Sequence, residues 1–181
     1  MTYKIPVILF GVLFSLSGLN GQLRPTDTGS SVTFTIRNAG ITTRGSFTGL
    51  SGTIRFDIEK PEFAFFDVRV DAATVRTGIA ARDNHLRKSG YFNVAAYPAI
   101  SFVSRQVQQT EMPGVYRVTG ILSMKGVTKE ISFTFTASRL HEGYLFTGAF
   151  KLNRRDFGIG GNSLTLSDNL NVFLSVYGQP A

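Results

Sequence analysis

Val115-Tyr116-Arg117-Val118-Thr119-Gly120-Ile121-Leu122-Ser123 and Glu130-Ile131-Ser132-Phe133-Thr134-Phe135-Thr136-Ala137-Ser138, joined through Lys125-Gly126, are the runs whose reading decides the fold. In the second, Ile131, Phe133 and Phe135 share one parity while Thr134 and Thr136 take the other. A period of two sends alternate side chains to opposite faces, so this is a strand with one apolar face. Two such runs separated by a glycine-containing connection predict an antiparallel hairpin.

The same period recurs on both sides. Val32, Phe34 and Ile36 alternate with Thr33, Thr35 and Arg37, after which Gly40, Gly45 and Gly49 predict repeated breaks. Residues 52–58 alternate again with Ile54, Phe56 and Ile58 on one side, before Lys60-Pro61 turns the chain. In 65–75, Val68 and Val70 oppose Asp67, Arg69 and Asp71, and Ile100 with Phe102 restarts the pattern after Tyr97-Pro98. Residues 144–152 and 170–177 complete the count, separated by a loop containing Gly160, Gly161, Asn162 and Ser163. Between Thr77 and Lys88 the spacing changes: Ile79, Arg82, Asp83, Leu86 and Arg87 fall at helical intervals, which predicts one short helix stopped near Gly90. About eight strands with one inserted helix predict an all-β antiparallel barrel or sandwich.

The chain has 181 residues, enough for one domain with its own core. Ile5 to Leu19 is a mostly apolar run behind Lys4, with no acidic residue before Asp27. That pattern reads as a secretory signal peptide covering 1–21, leaving a domain at 22–181 in a periplasmic or secreted location. There is no cysteine, so no disulfide, thiol nucleophile or cysteine-held metal enters the chemistry. The formal charge is +7, with the Lys and Arg scattered. Scattered charge together with export argues against a nucleic-acid partner and allows weak contact with an anionic membrane surface. The pattern leaves monomer and homodimer equally open.

Three groups of residues at characteristic spacing then stand out: Arg82-Asp83-Asn84-His85-Leu86 running into Tyr91-Phe92-Asn93 and Tyr97-Pro98; Gly120-Ile121-Leu122 with Lys125-Gly126-Val127-Thr128-Lys129; and Arg155-Asp156-Phe157-Gly158. In order and spacing they resemble the YceI-like family of lipid-binding barrels from about Ser31 to Tyr177. The resemblance implies a lipocalin-like eight-stranded barrel that encloses a long apolar ligand of the polyisoprenoid or isoprenoid-quinone type, with no other cofactor. It also implies structural roles for Arg82, Asp83 and Leu86 in pinning the helix, for Phe92, Pro98, Gly126 and Thr128, and for Arg155, Asp156, Phe157 and Gly158 around a bend. Two departures from the family pattern leave the ligand open: Asn93 stands where an Asp is usual, and Ser123-Met124 where Thr and an aliphatic residue are common.

Phenylalanine is abundant at 16, mostly at alternating strand positions. An eight-stranded barrel either fills with such side chains or leaves room for one ligand. The inward-parity residues expected to line a cavity are Phe34, Phe56, Val68, Val70, Phe102, Val118, Leu122, Phe133, Phe135, Phe146 and Phe150. Catalysis has little support. Asp83 and His85 lie two apart, which on a helix points them to different faces. No G-x-S-x-G, H-E-x-x-H or G-x-x-x-x-G-K-[ST] motif occurs, and Gly158-Ile159-Gly160-Gly161 precedes no predicted helix that could cradle phosphate. The reading is a binding protein, its rivals being an enzyme acting on such a lipid through His85, Asp83 or Arg155, and a structural stress protein whose barrel is simply filled.

Overall fold

A computed structural model describes residues 22–181. The signal-peptide expectation for 1–21 lies outside them. Eight antiparallel strands, β1 (Gln22–Asn38), β2 (Ile41–Arg55), β3 (Phe65–Arg76), β4 (Ala99–Gln109), β5 (Val115–Met124), β6 (Val127–Leu140), β7 (Gly143–Asn153) and β8 (Leu166–Pro180), pair in sequence order. β8 pairs back onto β1, so the sheet is a closed barrel rather than a sandwich. Every strand therefore has a paired neighbour on each side, although β6 and β7 pair with each other only over 135–140 and 143–148. At one rim the Ala181 N–H donates to the Gln22 carbonyl over 3.2 Å, placing the two ends of the described chain side by side.

The tight turns explain the sequential order. Met124 pairs with Val127 across Lys125 (φ 50°) and Gly126 (φ 75°), and Asn38 pairs with Ile41 across Ala39 (φ 49°) and Gly40 (φ 82°). Two consecutive residues at positive φ make the turn whose twist matches that of the flanking strands.

Three strand boundaries differ from the sequence expectation. β1 starts ten residues before Val32, at Gln22. β2 runs unbroken through Gly45 and Gly49, where breaks were expected. Gly45 lies against the Phe34 ring, where a Cβ would come within 2.3 Å of Cζ. At Gly49 the chain bulges, and the exposed N–H groups of Gly49 and Leu50 donate to the Asp27 carboxylate at 2.9 and 3.0 Å. These glycines permit close approach and bending rather than ending the strand. Finally, β2 stops at Arg55, so Phe56 lies beyond it. Among the described residues a single α-helix, α1 (Ala80–Leu86), follows β3; it starts later than Thr77 because Gly78 is at φ 85° and Ile79 is extended at φ −128°, ψ 109°.

The interior divides into two halves along the barrel axis. One half is packed around Phe56, whose ring meets Tyr116, Tyr144 and Phe146 edge-on at centroid separations of 5.3, 5.2 and 5.2 Å. Each such pair adds about 0.5–1.5 kcal/mol to the burial of its rings. Burial also pushes the Tyr116 phenol above its ordinary pKa. The other half, on the side of α1 and the β1–β2 and β5–β6 turns, is hollow.

Candidate functional site

The hollow half holds a cavity of about 240 Å³. Since about 10–15 Å³ of such space admits one water, this is room for a ligand rather than a packing defect. Its walls come from the inward parity of the strands, including Val32 and Phe34 on β1, Val68 and Val70 on β3, Phe102 on β4, Leu122 on β5, Phe133 on β6, Phe150 on β7 and Val172 on β8. Phe133 stacks on Phe150 at 4.6 Å. The packed half closes the floor. Leu86, Tyr91, Phe92, Phe157 and Ile159 form part of a roof that no strand supplies.

Polar side chains gather where the strands end. Asn38, Thr43, Thr77 and Arg82 border the cavity beside α1 and the β1–β2 turn. Arg82 is held in place, its Nε donating to Thr77 Oγ1 at 2.7 Å and its Nη2 to the Thr77 carbonyl at 2.8 Å. Asp83 is buried and accepts from both the Thr77 backbone N–H at 2.7 Å and the Thr77 hydroxyl. The hydroxyl hydrogen bond holds the Asp83 carboxyl below the usual carboxylate range, opposed by burial and assisted by the backbone N–H and by Arg87 and Arg82. A carboxylate so engaged is a strut for the β3–α1 corner rather than a free base. His85 is exposed with its ring edge-on to Tyr91 at 4.8 Å, and His141 sits on the turn at the opposite rim. Among the described residues, no group of three His, Asp or Glu side chains is placed to hold a metal ion.

Of the eleven side chains expected to line a cavity, the structure brings seven together: Phe34, Val68, Val70, Phe102, Leu122, Phe133 and Phe150. Phe56, Val118, Phe135 and Phe146 correct the expectation, for they fill the packed half instead. Parity tells inside from outside but carries no information about depth along the axis. Sequence reasoning missed the row Leu170, Val172, Leu174 and Val176, although its alternation is complete. The roof residues Tyr91 and Ile159 had no periodic signal.

The motif residues fall into place around the roof. Phe92 meets Phe47 edge-on at 5.3 Å, and the Pro98 carbonyl accepts from the Ala72 N–H at 2.8 Å. Leu86 packs into the cavity-end cluster, and Thr128 pairs with Ser123 beside the β5–β6 turn. Gly158 takes φ 62° to end the short 3-10 turn Arg154–Phe157, and Phe157 is buried behind it. Arg155 and Asp156 face solvent, Arg155 lying 3.5 Å from Asp168 Oδ2. The residue that anchors this segment is Arg154, 3% exposed. Its Nε donates to the Ser167 carbonyl at 2.9 Å, Nη1 to Ile159 and Gly161 at 2.7 Å each, and Nη2 to Leu166 at 3.2 Å and to Asp168 Oδ1 at 2.7 Å. The signal existed: Phe150, Leu152 and Arg154 share one parity.

Comparison with known proteins agrees with this architecture. The YceI-like domain matches residues 24–177. A UPF0312 protein of Azotobacter vinelandii is 34% identical over 140 residues, covering 74% of this chain and 72% of the relative. Among solved structures, BcnA of Burkholderia cenocepacia superposes with a TM-score of 0.78 at 21% identity, over 83% of this chain and 96% of that one. A polyisoprenoid binding domain from Saccharophagus degradans superposes with a TM-score of 0.70 at 17% identity, over 88% and 98%.

Proposed function

This chain belongs to the YceI-like domain family, and from that premise we propose that it is an exported protein that holds a long apolar isoprenoid lipid, of the polyprenyl or isoprenoid-quinone type, for carriage or storage. One observation carries the reading: half of the barrel is a roofed cavity walled mainly by aliphatic and aromatic side chains, with Asn38, Thr43, Thr77 and Arg82 gathered where the strands end. Such a space selects hydrocarbon along most of its length and offers a polar group partners where Asn38, Thr43, Thr77 and Arg82 stand. Each buried methylene contributes about 0.8 kcal/mol, so a chain of several isoprene units binds without a polar anchor. The polyisoprenoid binding domain of Saccharophagus degradans, which shares the fold, points to the same ligand class. Export follows from the apolar run Ile5 to Leu19 behind Lys4, with residues 1–21 removed.

The test is organic extraction and mass spectrometry of the purified protein, followed by titration with a detergent-dispersed long-chain isoprenoid. Recovery or uptake of one isoprenoid per barrel is expected. If the protein carries none and takes up none, the reading is wrong. An enzyme using His85 is separated by turnover: His85→Ala and His141→Ala should leave uptake unchanged because both imidazoles are exposed and neither lines the cavity, and a variant that keeps its lipid but loses a detectable reaction would favour the enzyme. N-terminal sequencing of material recovered outside the cytoplasm checks processing, and an intact Met1 there overturns it.

A further inference from the structure

The formal charge of the described residues is concentrated at one end of the barrel. Segments 36–46, 75–98, 123–129 and 153–169, which form the cavity end, hold ten Lys or Arg and three Asp, a balance of +7. All other described residues hold eight Lys or Arg and nine Asp or Glu, a balance of −1. Of the three Asp at the cavity end, Asp83 is taken by Thr77 and Asp168 by Arg154, leaving Asp156 in solvent.

Three exposed apolar side chains stand at the same end, against Phe63 and Met112 at the packed end. Ile41 is 71% exposed, Ile79 53% and Leu164 fully exposed. Each sits beside residues that border the cavity: Ile41 between Asn38 and Thr43, Ile79 between Thr77 and Arg82, and Leu164 two residues before Leu166. The Ala39 N–H donates to the Thr165 carbonyl at 2.9 Å, tying the Ile41 turn to the Leu164 loop. A single exposed Leu or Ile needs no explanation. Three around one cavity mouth, set in a field of one sign, form the pattern of a surface that enters a charged interface.

Resting on the lipid-binding reading, we propose that the rim formed by the β1–β2 turn, the start of α1 and the loop before β8 docks the barrel, cavity first, on an anionic lipid bilayer. The cations supply the attraction to headgroups, and Ile41, Ile79 and Leu164 enter the boundary below them. A second copy of the chain is a poor occupant, because two faces of the same sign repel. Docking in this pose lets an apolar ligand pass between bilayer and cavity without crossing water.

Because the chain has no cysteine, a single introduced thiol carries an unambiguous label. The full chain bearing Leu164→Cys, and separately Met112→Cys on the exposed loop of the packed end, is labelled with an environment-sensitive dye and mixed with vesicles containing phosphatidylglycerol or phosphatidylcholine alone. The expected result is a blue shift at 164 with phosphatidylglycerol vesicles, lost at high salt, and none at 112. Adding Ile41→Ser and Ile79→Ser should weaken vesicle binding reported from 164 by about tenfold or more. No shift at 164, or equal shifts at both positions, overturns the proposal. A concentration-dependent shift without vesicles overturns it by assigning the rim to a second copy. Uptake of detergent-dispersed isoprenoid needs no bilayer, so a protein that takes up ligand but does not dock refutes docking alone, and one that docks but takes up nothing refutes the cavity reading.

Discussion

The ring of Tyr97 lies over Gly126 so closely that a Cβ on Gly126 would come within 2.7 Å of Tyr97 Cε1. Two signatures far apart in the sequence, Tyr97-Pro98 and Lys125-Gly126, are therefore the two sides of one contact. Gly126 is also at φ 75°, a conformation that side chains other than glycine adopt at a cost. Gly126→Ala should lower stability by about 1–3 kcal/mol, the combined cost of strain and of moving the ring. In urea melts, Tyr97→Ala combined with Gly126→Ala should cost less than the sum of the two single changes, because the steric part disappears while the backbone part remains.

Phe133 and Phe135 differ by two residues and by the half of the barrel they occupy. Phe135 packs on Phe66 and Tyr116, both at 5.4 Å, in the filled half, whereas Phe133 faces the cavity. Phe135→Glu would bury a carboxylate with no partner and should abolish folding. Phe133→Glu places it in space that water can enter, so a folded barrel without lipid is expected. Circular dichroism melts with lipid extraction on the same samples check the pair; equal loss of fold in both would show that the cavity half is packed as tightly as the other.

Arg154→Ala should destabilise the barrel by about 3–5 kcal/mol, since it strips the donors from four carbonyls and leaves Asp168 without its close partner. Arg155→Ala removes only an exposed pairing with Asp168 at 3.5 Å and should change stability by about 0.5 kcal/mol or less. Denaturant melts of the two single variants, side by side, measure the contrast between adjacent arginines.

Asp83 makes stability depend on pH in a definite direction. Its carboxyl is held below the usual range in the folded chain, so it binds a proton less readily folded than unfolded. The stabilisation is full above the ordinary carboxylate range and is lost as pH falls through the lowered folded value. Asp83→Asn should be less stable than the wild type at neutral pH and lose less on acidification. Thermal melts from neutral to acid conditions check this, and parallel curves for the two proteins would contradict it.

Much of the architecture was readable because a period of two is a local property: 131, 133 and 135 announce a strand whatever surrounds them. The eight strands and the turn at Lys125-Gly126 follow from that signal. What escaped it is non-local. Gly45 reads as a break until the Phe34 ring across the sheet is seen to need its space. Phe56 reads as a strand residue, yet it acts as the centre of the packed half because the strand ends just before it. Depth along the axis, which separates lining from filling, is fixed by strand stagger around the closed sheet, and no single run of sequence carries it. Arg154 is the exception, for its parity with Phe150 and Leu152 is itself a local signal that points inward.

The side-by-side position of Gln22 and Ala181 makes the barrel a ring that can be cut elsewhere. A short linker joining 181 to 22 would bridge neighbouring strands at the packed end, and new ends opened at Met112-Pro113 would fall in a loop on that same end. Such a circular permutant keeps every strand pairing of the original, since no ladder crosses the cut. Reporter domains could then be attached at either opening while the cavity, its roof and its rim stay at the far end, clear of any passenger.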